Sequence, residues 1–314
     1  MTSMLSSRMA QWPDNKRFAF TVFDDPDSQS LEAGEAVYGF LADCGLRTTK
    51  GVWPVRGPLK ASDNGITCAD DGCVPWLHSL QRAGFEIGFH NATSHTSTRE
   101  ETVCGLERFA ELFGNNPRAM AHHYHCNENL YWGEHRLTGV HRAFYNLLTR
   151  FQHHNRYFGH CEGHPYFWGD VCREKITYVR NFVFPGINTL RECPFMPYHD
   201  PRRPYVNFWY ASSEGANVRS MNDRITEAAQ DRLEEEGGAC VMYTHFGHGY
   251  HEGGAVNARF RELILRISRK NGWFVPVSTL LDYLRSGSTT CISDAQRRTL
   301  ERRWLAHKIR FGTA

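Results

Sequence analysis

Short apolar strands alternate with helical stretches along nearly the whole chain, and this alternation restricts the fold more than any other feature. Residues 17–23 (RFAFTVF), 47–55 (RTTKGVWPV), 85–90 (FEIGFH), 118–123, 176–183, 206–210, 239–245 (ACVMYTH) and 273–277 read as strands, being rich in β-branched and aromatic side chains. Helical segments lie between them. Ser30 caps one that runs to about residue 44 and stops at Gly45; a shorter one over 74–83 closes at Gly84. A third, over 97–113, carries Val103, Leu106, Phe109, Ala110 and Phe113 on one face. Further helices are predicted over 130–150 with a break at Gly139, over 220–236, over 256–270 and from 278 to 284. Strand followed by helix, six or seven times over, implies a parallel sheet with helices outside it. Right-handed connections leave two closures, a barrel or a doubly wound open sheet.

Composition narrows the class. The 314 residues are 41% hydrophobic and 22% charged, which is enough apolar material for a sizeable core and too much for a disordered chain. A net charge of +2 gives no reason to expect nucleic acid. No run reaches the roughly 18 apolar residues of a membrane span. Residues 1–17 lack an apolar stretch of about 7–15 residues, so a cytoplasmic protein is expected. The ten Cys contain no CxxC pair and read as free thiols in a reducing compartment. Residues 1–285 are expected to form the main domain and 286–314 a basic helical extension. That extension sets Arg297, Arg298, Arg302, Arg303, Lys308 and Arg310 around Leu300, Trp304 and Leu305. It reads as a helix docked on the body with a solvated basic face; a homo-oligomer contact or an anionic partner are the alternatives.

Polar residues cluster where strands end. The strand ends in barrels and open α/β sheets face one crevice, so distant residues converge there. The first strand ends in Asp24-Asp25, the third in His90 with His95 beyond it, the fourth in His122-His123-Tyr124-His125, and the late one in Thr244-His245. Together they supply two imidazoles and a carboxylate for a metal, plus a spare carboxylate and a spare imidazole. On a helix, five residues turn about 500°, so His90 and His95 would face different ways; the polar stretch NATSHTST instead makes a strand end plus loop. Two His and one carboxylate leave open positions for water and substrate, and zinc in such a set lowers the pKa of its water toward about 7. Asp24, beside Asp25 as ligand, points the other way along an extended backbone and is placed to take a proton from water. His245 can protonate a leaving amine or alkoxide. These parts suit hydrolysis of an amide or ester.

At these residues the sequence resembles the polysaccharide deacetylase superfamily, the NodB-homology group of metal-dependent de-N-acetylases. The family's Thr-Phe-Asp-Asp-Gly-Pro appears here as T-V-F-D-D-P at 21–26, with one residue inserted and the Gly absent. Its Gly-x-Glu-Ile-Gly-x-His and following His appear as G-F-E-I-G-F-H-N-A-T-S-H at 84–95, with the two His five apart rather than four. The resemblance implies an α/β fold, a distorted (β/α) barrel of about seven strands. It implies a divalent ion, zinc first, held by Asp25, His90 and His95, with Asp24 as general base. Y-T-H at 243–245 loosely resembles the late motif that supplies the acid, His245 here. The family's third motif places an Arg near the base, but A-H-H-Y-H-C-N-E-N at 121–129 has none. Arg118 lies at the wrong end of its strand, roughly 17 Å away at about 3.3 Å per residue. His123 or His125 is therefore expected in that place, or the two bind a second ion.

The aromatic middle offers a substrate surface. Trp168 and the rings around it could stack on sugar faces, although each ring taken alone reads better as core, and Asp170 could orient His245. His123 and His125 are expected beside the substrate. The loop at 247–251, with His248 and His251, could close over the site or lie on the surface. The expected activity is removal of an N-acetyl or related acyl group from an amino-sugar or glycan precursor. Hydrolysis of a non-carbohydrate amide, or a degenerate protein that binds a glycan or partner and retains its ion, are the alternatives.

Overall fold

The computed structural model describes residues 12–57, 64–286 and 290–312. The beginning of the chain, read above for a targeting signal, lies for the most part outside them. Seven parallel strands form a closed barrel: β1 (Phe18–Asp24), β2 (Thr49–Val52), β3 (Glu86–Phe89), β4 (Ala119–Met120), β5 (Tyr178–Phe184), then, past a two-residue strand β6 (Tyr198–His199), β7 (Phe208–Glu214) and β8 (Ala239–Thr244). Each pairs with the next around the ring, and β8 pairs with both β7 and β1, which closes it. Of the two closures open to the alternating pattern, the barrel is the one adopted.

β1 is buried along its whole length, as its unbroken apolar run requires. Inside the barrel, Phe23 fills the space that two glycines leave. A Cβ at Gly88 would lie 2.9 Å from the Phe23 ring and 3.0 Å from the Ala119 carbonyl, and one at Gly51 would lie 2.9 Å from the same ring. Small residues on β2 and β3 thus match one large residue on β1, which holds the interior at crystal-like density.

The helices follow their caps. Ser30 caps Leu31–Asp43 through its hydroxyl, and Thr98 and Glu101 form a capping box on Arg99–Phe113. Two predicted helices are shorter or divided. The 130–150 stretch forms a short 3-10 helix at Gly133–Arg136 and becomes α-helical only from Gly139, at φ 51°, giving Gly139–Leu148. The 220–236 stretch splits at Thr226, whose hydroxyl caps a second helix and gives Val218–Arg224 and Glu227–Glu235. The predicted fourth strand contracts to two residues, because the chain leaves the sheet after Met120. Beyond that point the His123 N–H is taken by the Asn91 side chain rather than by a neighbouring strand.

A hairpin of β9 (His251–Glu252) and β10 (Ala255–Val256) follows the barrel, and β11 (Gly272–Trp273) runs beside the start of β1. The last strand, β12 (Thr290–Cys291), pairs with β6, which itself lies against β7. The C-terminal helix Asp294–Phe311 then packs on β5 and on Gly139–Leu148. Leu300, Trp304 and Leu305 are buried, with Trp304 5.5 Å from Phe182 and 5.7 Å from Tyr145. Arg297 departs from the expected solvated face: it is buried and pairs with Asp200 at 3.1 Å. Glu301, also buried, accepts from Thr138 at 3.0 Å and meets His141 Nδ1 at 2.8 Å. Among the described residues no helix is long and apolar enough to cross a membrane.

The extension is therefore wedged into the body by a large ring and two buried charges. Trp304→Ala should cost about 3–5 kcal/mol of the stability of the whole chain, read as a lowered midpoint of a single urea transition. Loss of the extension alone, in a separate early transition, would show that it folds independently.

Candidate metal centre

The strand ends converge as expected, but they bring together a set of donors different from the predicted one. Pro26 ends β1, and the Gln29 N–H returns to the Pro26 carbonyl at 3.2 Å, closing a turn. The turn brings Asp27, the third carboxylate of D-D-P-D, back to the barrel mouth. There Asp27 faces His90 Nε2 at 3.4 Å and His123 Nδ1 at 3.2 Å, and these two ring nitrogens are 3.2 Å apart. All three residues are buried. Burial pushes the Asp27 carboxyl up, but hydrogen bonds from His123 and His90 outweigh it and hold it well below the ordinary carboxylate range.

A tetrahedral ion with bonds of about 2.0–2.1 Å sets neighbouring donors roughly 3.3 Å apart. The two ring nitrogens stand at that spacing, each imidazole meets its own oxygen of Asp27 at 3.4 or 3.2 Å, and two imidazoles with one carboxylate are a donor set suited to zinc. The residues therefore fit a divalent ion. A second group, Asp25, Asp27 and His245, has donor atoms within 4.8 Å of one another. Asp25, however, is already engaged by Arg180, whose two N–H groups reach its two oxygens at 3.3 and 2.7 Å.

Local structure holds the two histidines. Asn91, at φ 60°, accepts the His123 N–H at 3.2 Å and donates to Glu128 at 2.7 Å and Asn129 at 2.9 Å. Asn129 in turn donates to the His123 carbonyl at 2.7 Å. Burial raises the Glu128 carboxyl to about 7. Trp53 packs edge-on against His123, with centroids 5.1 Å apart.

Several expected placements are corrected. Asp24 does not face the cavity. Its oxygens accept from Lys50 at 3.0 Å, Tyr38 at 3.1 Å, Gln29 at 3.2 Å and the Phe246 N–H at 2.7 Å. Strand alternation and the register that sets Asp24 beside Lys50 send it the other way. Burial raises its carboxyl, opposed chiefly by Lys50. Asp25 does face the cavity, with His90 Nδ1 3.5 Å from one oxygen. His95 stands outside the donor group: Thr93 Oγ1 takes its N–H and donates to its carbonyl, and the ring folds toward Gly57 with Nδ1 2.8 Å from the Thr96 carbonyl. His123, not His95, lies in the donor group with Asp27 and His90.

Arg180, from β5, is the arginine that stands at Asp25. Its side chain is buried, and Asp25 holds it in the charged form against the cost of burial. Trp168 is core, donating its indole N–H to the Glu128 carbonyl at 2.7 Å. Asp170 is half-exposed and forks with Arg99 at 2.6 and 2.7 Å, while His245 Nδ1 meets the Ala216 carbonyl at 2.6 Å instead.

What remains is a cavity of about 310 Å³ at the barrel mouth. Asp25, Asp27, His90, His123, Arg180 and His245 form its reactive side, and Trp132, Val183 and Tyr243 supply an apolar wall. His125 also lines it, with burial and Arg156 pushing its ring down to about 4, so it is neutral at neutral pH. His248 lies 4.7 Å from His245, centroid to centroid, and lines the cavity too.

The sequence matches no family model and no curated protein. Among solved structures, one from Mycobacterium smegmatis, provisionally described as a polysaccharide deacetylase, aligns over 90% of this chain and 96% of its own, with TM-score 0.54 and 14% identity. A structure from Bordetella bronchiseptica, provisionally described as a polysaccharide deacetylase involved in O-antigen biosynthesis, aligns over 94% of each chain with TM-score 0.39 and 14% identity. The peptidoglycan deacetylase PdaC of Bacillus subtilis, solved as a mutant, aligns over 92% of this chain and 98% of its own, with TM-score 0.41 and 13% identity. The first of these shows that the chain has the polysaccharide deacetylase fold.

Two measurements check the site. Zinc titration should give one ion per chain, with affinity falling roughly a hundredfold or more in Asp27→Ala, His90→Ala and His123→Ala, while His95→Ala keeps it. Lys50→Met should destabilise the fold by about 3–5 kcal/mol in urea, because it leaves Asp24 buried without its cation.

Proposed function

We propose that this chain is a metal-dependent hydrolase that removes an N-acetyl or related acyl group from an amino-sugar or glycan precursor. One observation carries the reading: a buried group of metal donors shares a cavity with an arginine-clamped carboxylate and an imidazole whose Nε2 turns toward them, 3.3 Å from the Tyr243 hydroxyl. Asp27, His90 and His123 would hold the ion, zinc by the nature of the donors. When bound there, the ion supplies Lewis-acid polarisation of the acyl carbonyl and a water acidic enough to deprotonate near neutrality.

The chain's own residues do the rest. Asp25 takes the proton from the attacking water. Arg180 fixes the plane of that carboxylate through two N–H···O contacts. His245 donates from Nδ1 to the Ala216 carbonyl, which leaves Nε2 toward Asp25 and Asp27, 3.9 and 3.8 Å away. As an imidazolium, with a second proton on Nε2, it would deliver that proton to the departing amine and keep the one on Nδ1. Trp132, Val183 and Tyr243 surround the small acyl group and exclude water from it. The cavity is at the small end of ligand sites, which suits one sugar ring with its acyl group. Asp24 is a brace rather than the base, and the base falls to its neighbour. The ten free thiols support a reducing, cytoplasmic setting.

Asp25→Asn should keep its zinc and lose roughly 10²–10⁴ in turnover of an N-acetylated amino-sugar, with acetate release as the readout. Full activity in Asp25→Asn, together with loss in a folded Asp24→Asn, would return the base to Asp24 and overturn this division of roles.

A further inference from the structure

The segment from Gly139 to Arg156 exposes a run of large apolar side chains and adjoins the cavity through Arg156, which donates to the carbonyl of the lining residue His125 at 3.4 Å. Val140 is 79% exposed, Phe144 47%, Leu147 69%, Leu148 43% and Phe151 57%. On the helix Gly139–Leu148, positions 140, 144, 147 and 148 lie on one side, while Tyr145 and Asn146 turn inward. A contiguous apolar surface of this kind on a protein marks a contact site. Its surroundings say with what. Residues 139–156 contain Arg142, Arg150 and Arg156 and no Asp or Glu. The C-terminal helix packed against this segment carries Arg302, Arg303, Lys308 and Arg310 over 302–311, again with no acid. Glu134 and Glu301, the carboxylates that touch this region, are both buried.

Apolar side chains standing out of a basic field match an anionic lipid surface, where the rings and leucines enter the acyl boundary and the arginines meet headgroup phosphates. We infer that the 139–156 segment docks this protein, peripherally, on an anionic membrane. The position of the segment gives the docking a purpose. Arg156 donates to the carbonyl of His125, and His125 and Tyr124 both line the cavity, Tyr124 being itself 58% exposed. Docking through this segment brings the cavity mouth to the lipid surface. The substrate class that follows is an acylated amino-sugar carried on a lipid. That class rests on the hydrolase reading above; the docking does not.

The test is cosedimentation of the full chain with vesicles. Vesicles of equal phosphatidylglycerol and phosphatidylcholine should bind it, and pure phosphatidylcholine should bind it more weakly by about fivefold for each engaged arginine. Leu147→Ser and Phe151→Ser should each lower binding roughly tenfold, and Arg150→Glu should lower it on anionic vesicles only. All three positions are exposed, so melting curves should match the parent. Equal or absent binding to both vesicle types overturns the inference. So does a dimer of the parent, seen by light scattering, that Leu147→Ser converts to monomer, since the surface would then be covered by a second copy. In a turnover assay of the zinc-loaded chain, the Leu147→Ser/Phe151→Ser variant should lose activity on a lipid-carried N-acetylated amino-sugar in vesicles and keep it on a water-soluble one. Equal loss on both overturns the substrate class. Failure of both substrates with the parent chain counts against the hydrolase reading and leaves the vesicle result standing.

Discussion

The pairing of β8 with β1 is the constraint on which the site depends. Six consecutive register partners, from Ala19 opposite Ala239 to Asp24 opposite Thr244, zip the last barrel strand to the first. The Asp25 N–H continues the ladder to the Thr244 carbonyl at 2.8 Å. That single seam sets Asp25 and Asp27, which follow β1, beside His245, which follows β8, although more than 200 residues separate them in the chain. In an open sheet these strands would lie at different positions and His245 would stand apart from Asp25 and Asp27. Closure is what turns a set of polar strand ends into one chamber.

The adjacent carboxylates Asp24 and Asp25 show how the pleat divides labour. Each is buried and each has its own cation, Lys50 behind the strand and Arg180 in front. Burying two ion pairs so close together is not an economical way to stabilise a barrel, since desolvation costs several kcal/mol per ion and an apolar pair of like volume often does as well. Their geometry suggests another use. Asp24 also accepts the Phe246 N–H, tying the segment that carries His245 to β1. The pair behind the strand therefore fixes where the segment carrying His245 stands, and the pair in the cavity fixes how the Asp25 carboxylate is turned.

Much of this was legible in the residues. Apolar runs marked the barrel strands, Gly stops marked the ends of the helices between them, and the cap at Ser30 follows from a side chain with short polar reach. His90 and His245 emerged correctly as cavity residues because each closes a strand. The remainder was hidden for definable reasons. Asp27 lies beyond a proline, and whether a chain turns back or runs on after such a residue depends on what it packs against, here the loop that carries Gly65 and the segment at Gly247. His95 matched a pattern, but a threonine-centred turn of backbone contacts folds it aside, and a one-residue change in spacing is enough for that. Arg180 could have been suspected: a charge in the middle of an apolar strand, YVRNFVF, must find a buried partner. Trp168 and Asp170 illustrate the reverse error, since ring-rich and polar composition describes a folded interior and its surface ties as well as it describes a binding face.

Arg180 comes from the fifth stave of the barrel, yet it grips a carboxylate that follows the first. In a closed ring of parallel strands every stave ends at the same rim, so a side chain can be replaced in its duty by one from a different stave with little movement of the reacting atoms. Linear order then becomes a poor guide to ancestry of function. Lineages built on this barrel can drift until their signatures no longer align, while the chemistry at the mouth stays recognisable in three dimensions.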